Sequence, residues 1–219
     1  MLTDQKVIDY FSNHMVLAKL NAEQDTLAAE EYHVMAYPML VMINPDGTEV
    51  DRIVGYLPPD EFLQTLDNYQ QGIGTLADLL NQAESSEDRG MYFEIADKYK
   101  YSGRSDQAID WYEKVIDMGD PTDSLAGESR MAMADMLRRA KDYTAAINSF
   151  DQIMKDFQGT VFAQDAEIWK AIVYKQKGDT TAAILGFQEY VDHYPESEDA
   201  EYAKEQIEKL QGKTDEKTD

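Results

Sequence analysis

The sequence predicts an α/β segment followed by an all-α helical solenoid. Two observations point there. Strand-like apolar runs and turn signals are confined to the first 72 residues, and a small-residue and aromatic pattern repeats three times after residue 88. At 219 residues, the chain suits one large domain or two small ones.

Within the first segment, residues 4–12 (DQKVIDYFS) space Val7, Ile8 and Phe11 as a short amphipathic helix. Residues 15–20 (MVLAKL) read as a buried strand, and 22–33 place Leu27, Ala28 and Tyr32 at helical spacing. Residues 39–43 (MLVMI) form a second apolar strand. Asn44-Pro45-Asp46-Gly47 then signals a turn: Pro presets φ, Asp bonds back to the backbone and Gly accepts φ > 0. Residues 49–54 (EVDRIV) make the return strand. Pro58-Pro59-Asp60-Glu61 opens a helix, since Pro suits a first turn and acids favour the positive end of the dipole; Phe62, Leu63 and Leu66 supply its stripe. The expected order is α-β-α-β-β-α.

Beyond Gly72 and Gly74 the chain reads as helices. A connecting helix is expected within 73–87, repeats over 88–197, a capping helix at 198–211 and a disordered tail at 212–219. Residues 95–116, 133–154 and 170–191 align. Ala96, Ala134 and Ala171 are each followed three residues later by Tyr99, Leu137 and Tyr174. A turn comes next, containing Gly103 or Gly178 in two of the three. Ala108, Ala146 and Ala183 then precede an aromatic by four: Tyr112, Phe150 and Phe187. Small residues let two helices approach and aromatics fill the space between them. The aligned alanines are 38 and 37 residues apart.

This second part resembles tetratricopeptide (TPR) repeats, particularly the longer-looped kind of bacterial envelope assembly proteins. Tyr194-Pro195-Glu196-Ser197 matches the Tyr-Pro-x-Ser ending of such repeats. Tyr32, Val34, Tyr37-Pro38, Pro45-Asp46-Gly47, Gly55-Tyr56 and Phe62 make residues 1–72 similar to the C-terminal two-thirds of the thioredoxin-like family. The whole therefore reads as a partial thioredoxin-like fold followed by a TPR solenoid. The resemblance implies that Pro38 is the family's cis-proline, which there faces the redox dithiol and offers backbone to a substrate peptide; Tyr37 and Pro38 become candidate binding residues. It also implies a Cys-x-x-Cys ahead of the helix at 4–12, and so ahead of Met1. The family's central strand would lie between 15–20 and 39–43. In its absence those strands are expected to pair in parallel, or a dimer to form through the sheet edge.

The chain has no cysteine, which excludes disulfides, thiolate catalysis and zinc–cysteine sites. A net charge of -23 argues against nucleic acid and anionic membranes, and no apolar stretch is long enough to span a bilayer. MLTDQKVIDYF lacks the features of a signal peptide, and the compartment, cytoplasmic or periplasmic, stays open. His14, His33 and His193 are scattered, and the acidic clusters at 84–89 and 196–201 lack calcium-loop spacing. No metal or cofactor is expected.

In the TPR family the first helix of each repeat lines a groove. The equivalent groove-side position here holds Lys100, Arg138 and Lys175, flanked by Phe93, Tyr101, Met131 and Ile168. Such a basic stripe suits an acidic segment or a peptide carboxylate. Two of the three are also explained locally, as i,i+3 pairs with Asp97 and Asp135. Those aspartates stand where the family's carboxylate clamp uses asparagines. The expected function is a non-catalytic adaptor or scaffold for a protein or peptide partner, as a monomer or weak homodimer. The alternative is a fragment of a thiol-disulfide oxidoreductase whose repeats recruit substrates.

Overall fold

The structure is a computed structural model, and residues 2–215 are described. They form eleven helices and one two-stranded sheet. The chain divides into two compact units, Met1–Trp111 and Tyr112–Asp219.

The first unit is built on an antiparallel ribbon of β1 (Met39–Ile43) and β2 (Glu49–Val54). The turn between them follows its sequence chemistry: Gly47 has φ +87° and donates to Asn44, while the Asp46 carboxylate takes the Thr48 amide. α1 (Gln5–His14), capped by the Asp4 carboxylate, buries Val7 and Phe11. α3 (Pro59–Gln70) begins at a proline and buries Phe62 and Leu66, one turn apart. These four side chains close over Ile53 as the unit's core. α2 (Thr26–Glu31) is short. α4 (Leu76–Ala83) fills the connecting stretch, with Thr75 and Asp78 capping its start reciprocally. α4 packs on α5 (Arg89–Tyr101), which also contacts β2.

The segment 15–20 corrects an expectation. It forms no strand: Met15 ends α1 and packs on the core, while Val16 is 99% exposed and Leu20 59%. Helix and strand patterns are local, whereas a strand exists only if an edge accepts it. The predicted parallel pairing with 39–43 is therefore absent. The helix expected over 22–33 shrinks to Thr26–Glu31 because Leu27 is 77% exposed and no apolar stripe docks it.

α6 (Ser105–Asp117) spans the division. The second unit stacks α7 (Ser124–Arg139) on α8 (Tyr143–Asp156), α8 on α9 (Val161–Lys177), α9 on α10 (Thr180–His193) and α10 on α11 (Ala200–Asp215). The repeat alanines Ala134, Ala146, Ala171 and Ala183 are fully buried, as are the aromatics Phe150 and Phe187. A Cβ built on Gly186 would come within 3.0 Å of the Ala171 Cβ, so α9 and α10 approach as closely as small residues permit. Helix α11 runs through 212–215, which were expected to be disordered: an i→i−4 ladder begun on a docked helix extends at little cost. Residues 216–219 lie outside the described residues.

Each of the three helix-pair turns closes in the same way. A residue one or two positions past the first helix takes a left-handed conformation, at Gly103 (φ +76°), Lys141 (φ +63°) and Gly178 (φ +84°). Its N–H bonds back to the carbonyl of Lys100, Arg138 or Lys175, and the next N–H bonds to Tyr99, Leu137 or Tyr174. This double bond-back is the Schellman closure. Asp142 and Asp179 then cap the second helices of the second and third pairs.

Candidate interaction surfaces

The loop before β1 carries the first candidate pair. The Tyr37–Pro38 bond is cis, and both side chains are exposed, Tyr37 at 70%. Pro38 accepts a hydrogen bond from the Gly55 amide, which anchors the loop to the end of β2.

Among the groove candidates the basic residues differ in how they are held. In the first unit, Lys100 Nζ lies 2.5 Å from Asp97, over the Tyr101 ring, with its side chain 15% exposed. In the second, Arg138 grips Asp135 at 2.6 Å, reaches Gln176 and stacks on Trp169. Lys175 is exposed and donates to the neutral amide oxygen of buried Gln206 at 2.6 Å. Among the described residues no carboxylate pairs with Lys175. The spacing therefore placed three cations correctly on first helices, while two of them are neutralised by aspartates three residues earlier. Phe93 and Tyr101 are half-buried, and Met131 packs against the core of the second unit. Ile168 is a correction. It is buried in the α9–α10–α11 core and offers no groove surface, because the apolar stripe of a helix sandwiched between two others is wide.

A polar cluster that the sequence reading passed over sits where β2 meets α4 and α5. Asp51, 4% exposed, takes hydrogen bonds from the Leu76 amide and from Lys98 Nζ at 3.0 Å. Lys98 also donates to the Tyr69 hydroxyl. Arg52 forks onto Glu49 and donates to the carbonyls of Tyr32 and Tyr101. Burial works against the Lys98 charge, but the Asp51 carboxylate and Tyr69 hydroxyl outweigh it and raise its pKa. Burial raises Glu94 despite nearby Lys98. Asp51, Arg52, Glu94 and Lys98 line a cleft of about 410 Å³. No buried side-chain nitrogen or oxygen among the described residues lacks a hydrogen-bond partner. The cluster therefore reads as a fastening. Its signal was present in the sequence as Asp51-Arg52, two charges inside an apolar return strand.

In the second unit the Tyr-Pro-x-Ser ending is structural. Ser197 donates to the Tyr190 hydroxyl, which also takes a hydrogen bond from Gln164. Glu167, nearly buried, meets His193 Nδ1 at 2.7 Å. No group of three or more potential metal ligands occurs among the described residues, and no described helix is long and apolar enough to cross a membrane.

Comparison with known proteins bears on both halves. Residues 1–70 match the thioredoxin-like domain, and residues 90–118 and 165–197 match the tetratricopeptide repeat. A thioredoxin of Chlamydia pneumoniae is 40% identical over 55 residues, 25% of this chain and 52% of that protein. The chain thus spans about half the length of the curated relative it matches. The crystal structure of MamA aligns over 75% of this chain and 99% of that chain, at 14% identity and a TM-score of 0.46.

Proposed function

We propose that this chain, a thioredoxin-like segment joined to tetratricopeptide repeats, works as a non-catalytic adaptor that holds a protein partner on its repeat helices. The observation that carries the proposal is the pair of repeat matches at 90–118 and 165–197 on helices that spend their small and aromatic residues on one another. Stacked helix pairs of this kind expose long faces whose residues are free to serve binding. The absence of cysteine removes the nucleophile for sulfur exchange from this polypeptide.

Within the repeats, Lys175 is the strongest candidate contact, since among the described residues its charge is met by a neutral amide. Arg138 and Lys100 are secondary, because an incoming carboxylate must compete there with Asp135 or Asp97. Tyr37 and Pro38 are proposed as a separate peptide contact.

The test is affinity capture with the whole chain, followed by titration of the captured protein. Lys175→Glu combined with Arg138→Glu should weaken binding at least about tenfold. Unchanged affinity removes the basic residues from the site. An insulin-reduction assay should give no turnover, and turnover would overturn the non-catalytic reading. The second reading, a fragment of a thiol-disulfide oxidoreductase, is favoured by the 40% identity to thioredoxin and the cis Tyr37–Pro38 bond. The reading frame upstream of Met1 decides it: an in-frame Cys-x-x-Cys supports the enzyme, and its absence ends that reading.

A further inference from the structure

One edge of the second unit gathers cations at its helix-pair turns. Arg138 and Arg139 end α7, Lys141 follows in the turn, and Lys175 and Lys177 close α9. The two groups are neighbours, since Arg138 Nη1 donates to the Gln176 side chain at 3.3 Å. Arg139, Lys141, Lys175 and Lys177 are exposed. The carboxylates at the same turns are already engaged: Asp135 by both arginines, Asp142 and Asp179 by the amides of Ala145 and Ala182. Among the described residues of this unit, Lys141, Lys155, Lys175 and Lys177 have no carboxylate partner, and all but Lys155 lie on this edge. A chain with a net charge of -23 has acids to spare, yet it leaves these lysines uncompensated side by side.

Helix dipoles account for part of the pattern, because a cation in the last turn of α7 or α9 meets a negative helix end. Lys141 falls outside that account. It lies past α7 in a left-handed conformation (φ +63°), which a Cβ resists and which the matching turns give to Gly103 and Gly178. Its side chain is exposed and makes no hydrogen bond or ion pair among the described residues. The backbone is thus strained to carry an ammonium with no internal use, and strain of this kind gathers where a surface binds something.

We propose that Arg139, Lys141, Lys175 and Lys177 form a docking edge for a short, extended acidic segment of a protein partner. That the partner is a protein rests on the adaptor reading above; that its segment is acidic rests on charge complementarity at this edge. A long polyanion or a flat anionic bilayer would have to bring its charge against the acids of the surrounding surface as well, whereas a few residues laid across two adjacent turns meet the cations alone.

Fluorescence anisotropy of a labelled hexaglutamate peptide with the intact chain, at about 0.1 M NaCl, tests this. The Debye length is then about 10 Å, so distant acids are screened while contacts at the edge persist. Saturable binding is expected, with none for hexaglutamine. Lys141→Gly combined with Lys177→Gln removes two exposed charges and no packing, so the melting midpoint should hold or rise while peptide affinity falls at least about threefold. The backbone amides of Lys141 and Gly178 should shift on titration. The proposal is overturned by no saturable hexaglutamate binding, by binding that the two substitutions leave unchanged, or by phosphatidylserine vesicles that retain the chain when the peptide does not. The adaptor reading is separable. A captured protein weakened by Lys175→Glu with Arg138→Glu, but indifferent to Lys141→Gly with Lys177→Gln, keeps that reading and overturns the docking edge.

Discussion

Lys141 should be replaceable by glycine with a gain in stability. It occupies the left-handed position that Gly103 and Gly178 occupy in the other two turns, with the same pair of bonds back to Arg138 and Leu137. A left-handed conformation costs a residue with a Cβ about 1–2 kcal/mol. Glycine returns about 0.4–1 kcal/mol through its greater freedom in the unfolded chain. The side chain of Lys141 is exposed and makes no hydrogen bond or ion pair among the described residues, so little else is lost. The net expectation for Lys141→Gly is a gain of about 0.8 kcal/mol, or roughly 2–3 °C in a chain of this length. Gly178→Ala is the converse control. It has φ +84° and nothing within 4 Å of a built Cβ, so its loss of about 1 kcal/mol is backbone strain alone. Thermal and urea melts of the three proteins read both effects. A midpoint for Lys141→Gly equal to or below the parent refutes the reasoning, because it would mean that the backbone at 141 carries no recoverable strain.

Gly103→Ala should cost more than Gly178→Ala, by at least about 1 kcal/mol, because a Cβ there meets the His33 ring at 2.5 Å in addition to φ +76°; paired urea melts compare them. Asp51→Ala should destabilise the first unit by about 3–5 kcal/mol, since it strands the Lys98 ammonium, 11% exposed, and leaves the Leu76 amide without its acceptor; denaturant unfolding monitored by hydrogen exchange reads it. Stability should also fall on the alkaline side. Burial and the hydrogen bond to Asp67 push Tyr10 up to about 12 from 10.0, so its folded form holds the proton more tightly than the unfolded chain. That contribution is complete below pH 10 and disappears between 10 and 12. The raised Lys98 acts in the same direction, stabilising below 10.5 and failing as pH climbs through its folded value. Melts at pH 9, 10, 11 and 12 should fall, and less steeply in Tyr10→Phe; equal slopes would exclude Tyr10 as a contributor.

The repeat half was legible because its information is local and repeated. Ala134, Ala146, Ala171, Ala183, Phe150 and Phe187 recur at fixed offsets, and each is fully buried at the packing point its spacing implies. The Asn-Pro-Asp-Gly turn and the Pro58-Pro59 helix start were legible for the same reason: their residues restrict their own φ. The polar cluster was not, since Asp51, Tyr69 and Lys98 meet only after β2, α3 and α5 are packed. Ile168 was misplaced because position along a helix does not say how many neighbours surround it.

The sequence alone determined where this chain turns, which repeat alanines and aromatics its helix pairs bury, and that these 219 residues carry no thiol. Those properties depend on residue type and on separations of a few positions. Only the tertiary structure decided that Met15–Leu20 stays outside the sheet, that Asp51 meets Lys98, and that Lys100 and Arg138 are already paired while Lys175 is met by an amide. Each of these depends on a partner group far away in the chain, and neither strand propensity nor charge carries information about whether that partner arrives.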